Sequence, residues 1–459
     1  MTPGTSLGRL LHSASMALLV GTCLASGCAA PGDPLIHQMV AEVSEANIRN
    51  SVEKLVSFGT RHTLSDTESE TRGIGAARRW IESQFDEISS KSGGRLQVEL
   101  QSYMQPPDNR RITRDVEIVN VIATLPGDDP VGAQRVLVVS GHYDSICSDP
   151  KDAECDAPGA NDDASGVAAV LELARIMSTR KFKATIVFAA VAGEEQGLFG
   201  SRHMARVFKE SNTNVTAMFT NDIVGNTLGQ NGVRDRGRVR VFSEGVPVTA
   251  TSEADHLLRL ATGNENDSPS RQLARYIDSA CERYVPGFDV LLIWRRDRFL
   301  RGGDHTAFSE QGFPAVRFTE LNEDYKHQHQ NVREEDGQQY GDLVRFVDFG
   351  YVAQVTRANL AALAEMALAP APPANLRVIT AKLDHTTTLV WDAGTEKDLA
   401  GYEIVWRETT SPLWEKSMFV GIQTECVHPL SKDNYIFGVR SIDEQGHRSV
   451  VAYPTPAKE

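Results

Sequence analysis

Val136-Leu137-Val138-Val139-Ser140-Gly141-His142-Tyr143-Asp144-Ser145 is the stretch from which the fold is read. Its first four residues form a short, unbroken apolar run, the pattern of a strand covered on both faces. An imidazole and a carboxylate, His142 and Asp144, follow as soon as the run ends. The same alternation continues downstream. Ala164 to Met177 carries Val167, Val170, Leu171 and Ala174 on one helical stripe. Thr185-Ile-Val-Phe-Ala-Ala-Val reads as a second buried strand, a helix follows Gly197, and Val215 to Phe219 and Ala315 to Phe318 read as two more strands. Alternating strands and helices predict an α/β fold, a mostly parallel mixed sheet with helices on both faces. Upstream, residues 35–90 carry helix-like spacings, and residues 96–125 alternate as strands.

Working outward, the composition shifts near residue 367. Ala367-Leu-Ala-Pro-Ala-Pro-Pro-Ala is a stiff linker over 367–374, across which few contacts are expected. Beyond it, Asn375 to Ile379, Thr388 to Trp391, Gly401 to Glu408 and Tyr435 to Ile442 are short strands with no helical period. They predict a small all-β sandwich over 375–455. Leu389-Val-Trp-Asp, Leu399-Ala-Gly-Tyr-Glu-Ile-Val-Trp-Arg and Tyr435-Ile-Phe-Gly-Val-Arg-Ser-Ile-Asp resemble a fibronectin type III module. The α/β part is then 35–366, the segment in which any catalytic site is expected. Within it the span from Asp222 to His327, with polar, Arg-rich segments such as Arg234 to Arg240, reads as pocket-shaping helix and loop.

The 459 residues are 41% hydrophobic and 24% charged, which excludes a disordered, collagenous or coiled-coil chain. Asp and Glu outnumber Lys and Arg 61 to 47, for a net charge of −14, so phosphate backbones are repelled and nucleic acid is not an expected partner. Residues 1–30 read as a secretory signal: Arg9 and His12, an apolar run from Ala14 to Ala25, then Ser26-Gly27-Cys28-Ala29-Ala30. Leu24-Ala25-Ser26-Gly27-Cys28 resembles a bacterial lipoprotein signal, which would anchor the protein to a membrane through Cys28; plain cleavage and release is the alternative. The expected location is outside the cytoplasm: secreted, periplasmic or lipid-anchored. There, Cys147 and Cys155 are expected to pair across a polar loop, while Cys281 and Cys426 read as single buried thiols.

Five segments deliver carboxylates or imidazoles just beyond strands: His142 and Asp144; Asn161-Asp162-Asp163; Glu194-Glu195; Asn221-Asp222; and Glu320 followed by His327-Gln328-His329. In open α/β sheets the carboxyl edge is where ligands bind. Each fragment alone is ordinary, and an Asp before a helix is usually a cap. Five at one edge point to chemistry. Imidazoles with several carboxylates and no cysteine suit a pair of divalent metals, zinc first. Such a pair needs a bridging carboxylate and can hold a shared water. Adjacent Glu194 and Glu195 fit a division in which one binds metal and the other moves the proton.

His142-Tyr-Asp-Ser, Pro158-Gly-Ala-Asn-Asp-Asp-Ala-Ser-Gly, Gly193-Glu-Glu-Gln-Gly-Leu-Phe-Gly-Ser and Asn221-Asp-Ile-Val-Gly resemble the secreted double-zinc aminopeptidases of metallopeptidase family 28, of the bacterial leucyl type. The resemblance spans roughly residues 45–366 and implies a phosphorylase/hydrolase-like zinc exopeptidase fold acting on peptide or protein substrates. It implies two zinc ions held by His142, Asp162, Glu195, Asp222 and a last histidine, with Asp162 bridging. It further implies that Glu194 is the general acid/base and that Asp144 orients His142. Gly302-Gly303-Asp304-His305 resembles the family's Ser-Asp-His segment, with Gly303 in place of serine. The family's last histidine is followed four residues later by Asp. Here His327, the favoured ligand, is followed at that distance by Asn331, and His329 is the alternative. The expected activity is removal of amino-terminal residues. The alternatives are a carboxypeptidase or dipeptidase of the same fold, a glutaminyl cyclase-like acyltransferase with one metal, and a non-catalytic surface binding protein.

Overall fold

The apolar run at Val136 is buried along its whole length because both faces of its strand are covered. The computed structural model describes residues 32–458 except 109 and 382. Residues 1–30, with the signal segment and Cys28, lie outside the described residues. The described residues open with helices α1 (Pro34–Ala41), α2 (Glu45–Val56) and α3 (Gly73–Lys91) and the strands β1 (Gln97–Gln105) and β2 (Val116–Leu125). Next come β3 (Arg135–His142), α4 (Ala164–Met177), β4 (Thr185–Val191), α5 (Glu194–Gly197), α6 (Phe199–Glu210) and β5 (Asn214–Asn221). The catalytic part ends with β6 (Arg238–Ser243), α7 (Glu253–Thr262), α8 (Pro269–Tyr284), β7 (Asp289–Ile293), α9 (Asp304–Glu310), β8 (Ala315–Glu320), the hairpin β9 (Arg333–Glu335) and β10 (Gln338–Tyr340), and α10 (Phe349–Leu368).

Eight strands form one mixed sheet in the order β1-β2-β4-β3-β5-β8-β6-β7. The central β4, β3, β5 and β8 run parallel, while β2 and β6 pair antiparallel with their inner neighbours. Alternate side chains of β3 feed two cores. Leu137 and Val139 join the core that includes α4 and α10, and Val136 and Val138 join the one that includes α6 and α9. Helices therefore cover both faces, as the alternation predicts. Helix α4 starts at the sheet's carboxyl edge because Asp163 caps it: one oxygen accepts the Gly166 N–H and the other accepts the His142 N–H, both at 3.0 Å. Gly141 and Gly166 allow that approach, since a Cβ on Gly141 would lie 2.6 Å from the Gly166 backbone.

Two expectations are corrected here. The Asp222–His327 span is not only helix and loop, because β6 and β7 extend the sheet. In β6, Arg238 and Arg240 alternate with the buried Val239 and Val241, so the arginines concealed a strand. The second correction concerns the joint near 367–374. The strands β11 (Ala374–Ile379), β12 (Thr387–Asp392), β13 (Leu399–Glu408), β14 (Lys416–Gly421), β15 (Glu425–His428), β16 (Tyr435–Asp443) and β17 (Thr455–Ala457) form two facing sheets, ordered β15-β12-β11-β17 and β14-β13-β16. Their shared core includes Leu389, Trp391, Tyr402, Ile404, Phe437 and Val439. These sheets are docked on the catalytic part rather than tethered beside it. Arg407 places Nη2 at 2.9 and 3.0 Å from the two oxygens of Asp267. Trp414 donates to Gln272 at 3.1 Å, and Lys183 reaches Asp398 at 2.6 Å and Asp443 at 2.8 Å. Gln272, Arg275 and Tyr276, polar residues of α8, are partners for the sandwich.

Cys147 and Cys155 form a disulfide, with Cα atoms 6.6 Å apart. Both Cys281, which is buried, and Cys426, which is only half-buried, are free. Among the described residues no helix is long and apolar enough to cross a membrane.

Candidate metal centre

The sheet's carboxyl edge gathers most of the residues singled out above. His142 ends β3, Asp162 precedes α4, Glu194 and Glu195 open α5 behind β4, and Asp222 follows β5. His142, Glu194 and Asp222 form one group of potential ligand atoms, all within 4.8 Å of one another. Asp162, Glu195 and His329 form a second within the same limit. Asp162 joins them. Its Oδ1 lies 3.1 Å from Nε2 of His142, and its Oδ2 lies 2.9 Å from Nε2 of His329.

His327 is not part of this cluster, which corrects the favoured assignment of the last ligand. Its ring stacks on Phe346 at 3.6 Å, with Nδ1 3.8 Å from Asp324. His329 stands at the cluster instead, 3.0 Å from Oε1 of Glu195. The local backbone explains the exchange. His329 has a left-handed φ of 54°, and Asn331 pins the turn by accepting the Ser148 N–H at 3.1 Å while its own N–H goes to Ser148 Oγ at 2.9 Å. The Asn in place of Asp thus ties this loop to the disulfide loop.

Asp144 does not face the cluster as a ligand. It holds the cluster from behind, accepting the N–H of Glu194 at 3.2 Å and of Glu195 at 3.0 Å, while its carbonyl lies 3.1 Å from Nδ1 of His142. That contact fixes the imidazole and leaves Nε2 toward the carboxylates. Three residues were not picked out from sequence. Asp342 accepts the N–H groups of Asn161 and Asp162 at 2.7–2.9 Å, and Gln328 donates to Asp162 at 2.9 Å. Neither carries a sequence signal. Arg317 does carry one, a lone cation within the apolar run of β8. Fully buried, it reaches Asp222 at 3.0 Å and Asp297 at 3.2 Å.

The electrostatics call for cations. Burial pushes Glu194 well above the usual carboxyl range, and the nearby Asp222, Glu195 and Asp304 add to the shift. Burial likewise raises Glu195. At His329, burial favours the neutral ring, but Glu195 and Asp162 outweigh it and raise the imidazole well above its ordinary value. Nε2 of His142, Nε2 of His329 and Oε1 of Glu195 are buried without a hydrogen bond, although carboxylate or imidazole atoms lie within ion-pair distance. Buried donors and acceptors are normally satisfied. Unsatisfied imidazole nitrogens converging with carboxylate oxygens fit divalent metal, and this N/O set fits zinc.

Comparison with known proteins agrees with this chemistry. The profile of peptidase family M28 matches residues 120–344. A probable zinc metalloprotease of Leptosphaeria maculans is 49% identical over 421 residues, covering 92% of this chain and 97% of the relative. A probable zinc metalloprotease of Pyrenophora teres f. teres is 48% identical over 429 residues, covering 93% and 88%. The chain belongs to peptidase family M28. Among solved structures, LapB from Legionella pneumophila superposes with a TM-score of 0.53 at 20% identity, covering 73% of this chain and 75% of that one. The aminopeptidase from Aneurinibacillus sp. strain AM-1 gives 0.51 at 17% identity, covering 72% and 96%. At such identities the shared feature is the fold. As an M28 member the protein is a zinc metallopeptidase.

Proposed function

We propose that this M28 peptidase is an exported two-zinc exopeptidase, an aminopeptidase that hydrolyses the amino-terminal peptide bond of peptides or proteins. One observation carries the reading: Asp162 stands between two imidazoles, each in its own group with a further carboxylate. Two complete groups favour a metal pair over a single ion. His142 and Asp222 would hold one zinc, Glu195 and His329 the other, and Asp162 both. Zinc there would polarise the scissile carbonyl and lower the pKa of water. Glu194 takes the water's proton on its carboxylate and delivers it to the leaving amine. Asp144 keeps Glu194 and Glu195 in place through their backbone N–H groups. The disulfide between Cys147 and Cys155 supports export, because such bonds persist in oxidising compartments. Mass spectrometry of the mature amino terminus separates lipidation of Cys28 from simple cleavage. The seven-stranded sandwich supports the fibronectin-like reading of the last segment.

The test pairs two substitutions. Glu194→Gln retains zinc and loses turnover by about 100-fold or more. Glu195→Gln loses metal. Elemental analysis and hydrolysis of aminoacyl anilides against N-blocked peptides read both effects. Reversed phenotypes would reassign the pair, and release from carboxyl termini alone would overturn the aminopeptidase reading.

A further inference from the structure

The cleft into which the cluster opens has a volume of about 330 Å³, and the part of its lining outside the cluster is mainly basic. Outside the cluster it is lined by Arg110 and Arg111 from the β1–β2 connection and by Arg298 and Arg301 from the β7–α9 connection. Leu198 is its one large apolar side chain. A pocket for an apolar terminal residue would have apolar walls. Asp108 also lines it, but its Oδ1 accepts the N–H groups of Arg110, Arg111 and Ile112 and so is committed to its own loop.

The charges behind the β7–α9 wall do not balance. Glu323 is shared by Arg240, Arg298 and Arg301, and Asp297 by Arg298 and Arg317. Four guanidinium groups thus face two carboxylates, and the third acid within reach, Asp222, belongs to the cluster. Arg301 is the least committed, 3.5 Å from Glu323 with 35% of its side chain exposed. On the other wall, Nη1 of Arg111 donates to the Glu195 carbonyl, which holds that fork over the cluster. Guanidinium forks recognise carboxylates with two parallel hydrogen bonds.

We propose that this cleft binds a carboxylate of the substrate, through Arg301 and Arg111, next to the scissile bond. This rests on the exopeptidase reading and names its substrate class. The carboxylate belongs either to an acidic side chain or to the free carboxyl terminus of a short peptide.

Kinetics on the zinc-loaded protein separate the sources. Glutamyl anilide against glutaminyl anilide reads the side chain, and short peptides with free against amidated carboxyl termini read the terminus. The carboxylate form is expected to win in one arm by about tenfold in kcat/KM. In Arg301→Gln and Arg111→Gln that ratio falls toward one, chiefly through KM, with zinc content unchanged. Calorimetry with glutarate gives a readout free of turnover: binding that weakens about tenfold in Arg301→Gln supports the proposal. Equal rates in both arms, or ratios and glutarate affinity unmoved by both substitutions, overturn it. If no peptide is cleaved, the exopeptidase reading fails, and the glutarate result alone decides the carboxylate site.

Discussion

Replacing Arg407 by Met tests whether the sandwich is part of the catalytic unit. Met keeps much of the stem's volume and removes the guanidinium. In the native protein the side chains of Arg407 and Asp267 are 2% and 0% exposed, and Nη2 contacts both carboxylate oxygens. After the change, Oδ1 of Asp267 keeps Gln272 at 3.0 Å and Arg275 at 3.4 Å, while Oδ2 loses Arg407. Breaking a buried ion pair costs about 3–5 kcal/mol when the remaining charge has no partner. Arg275 stays near enough to compensate in part, so the expected loss is about 2–3 kcal/mol. Urea unfolding followed by tryptophan fluorescence measures it, since Trp391, Trp406 and Trp414 report on the sandwich and Trp80 and Trp294 on the catalytic part. All five should move in one transition. The double variant Asp267→Leu/Arg407→Met recovers part of the loss, giving a coupling energy above about 1 kcal/mol. A coupling near zero, or two separate transitions of which only the sandwich's shifts, would refute the argument. Truncation after Leu368 would then yield a folded, zinc-loaded domain, whereas a docked sandwich predicts an unstable one.

Three further outcomes are expected. His329→Ala should lower zinc content and activity together while His327→Ala leaves zinc in place, as read by elemental analysis; equal metal loss from both would reopen the assignment. Chelation should lower the denaturation midpoint and added zinc should restore it, because a ligand at a thousand times its Kd stabilises by about 4 kcal/mol; an unchanged midpoint would show that the cluster holds no ion. Burial favours a neutral His447, but the hydrogen bonds that the ring donates to Asp443 at 2.9 Å and Asp33 at 2.7 Å raise its pKa, so its stabilisation is complete below the unfolded value of about 6.5 and lost as pH rises through the folded one. The stability difference between the wild type and His447→Gln should therefore shrink with rising pH, and one that grew would contradict the ion pairs.

The central sheet was legible because β3 and β4 are covered on both faces, and burial on two sides leaves an uninterrupted apolar run. The four parallel strands at its centre follow from that pattern. Strand β6 escaped because it lies near one edge, where Arg238 and Arg240 alternate with valines, whereas the apolar run Val290 to Ile293 of β7 was itself a strand signal. A short amphipathic strand with arginine on one face resembles a polar loop when only composition is weighed. Docking of the sandwich was hidden for a related reason. Gln272, Arg275 and Tyr276 on α8 meet polar atoms of the sandwich, and a residue that will be buried by a polar partner cannot be distinguished from one facing water.

In the cluster, every residue that follows a strand directly was found from sequence, because the sheet itself sets its position. His329 was not the favoured reading because it lies on a turn whose direction depends on Asn331 and Ser148, 183 residues apart in the chain. Gly303 and Arg317 show the same limit more sharply. Each alone is an oddity, a glycine where a serine is usual and a cation inside an apolar strand. Together they make sense. A Cβ on Gly303 would lie 3.0 Å from Nη1 of Arg317 and 3.2 Å from Oδ2 of Asp222, so the guanidinium occupies the space that a larger residue would contest. Burial opposes the charge on Asp222, and Arg317 and then His142 overcome that and keep the carboxyl below its usual range. The glycine therefore makes room for the arginine, and the arginine favours the ionised form of an acid that stands beside His142 in the cluster. That dependence runs between residues brought together only by β5, β8 and the turn into α9.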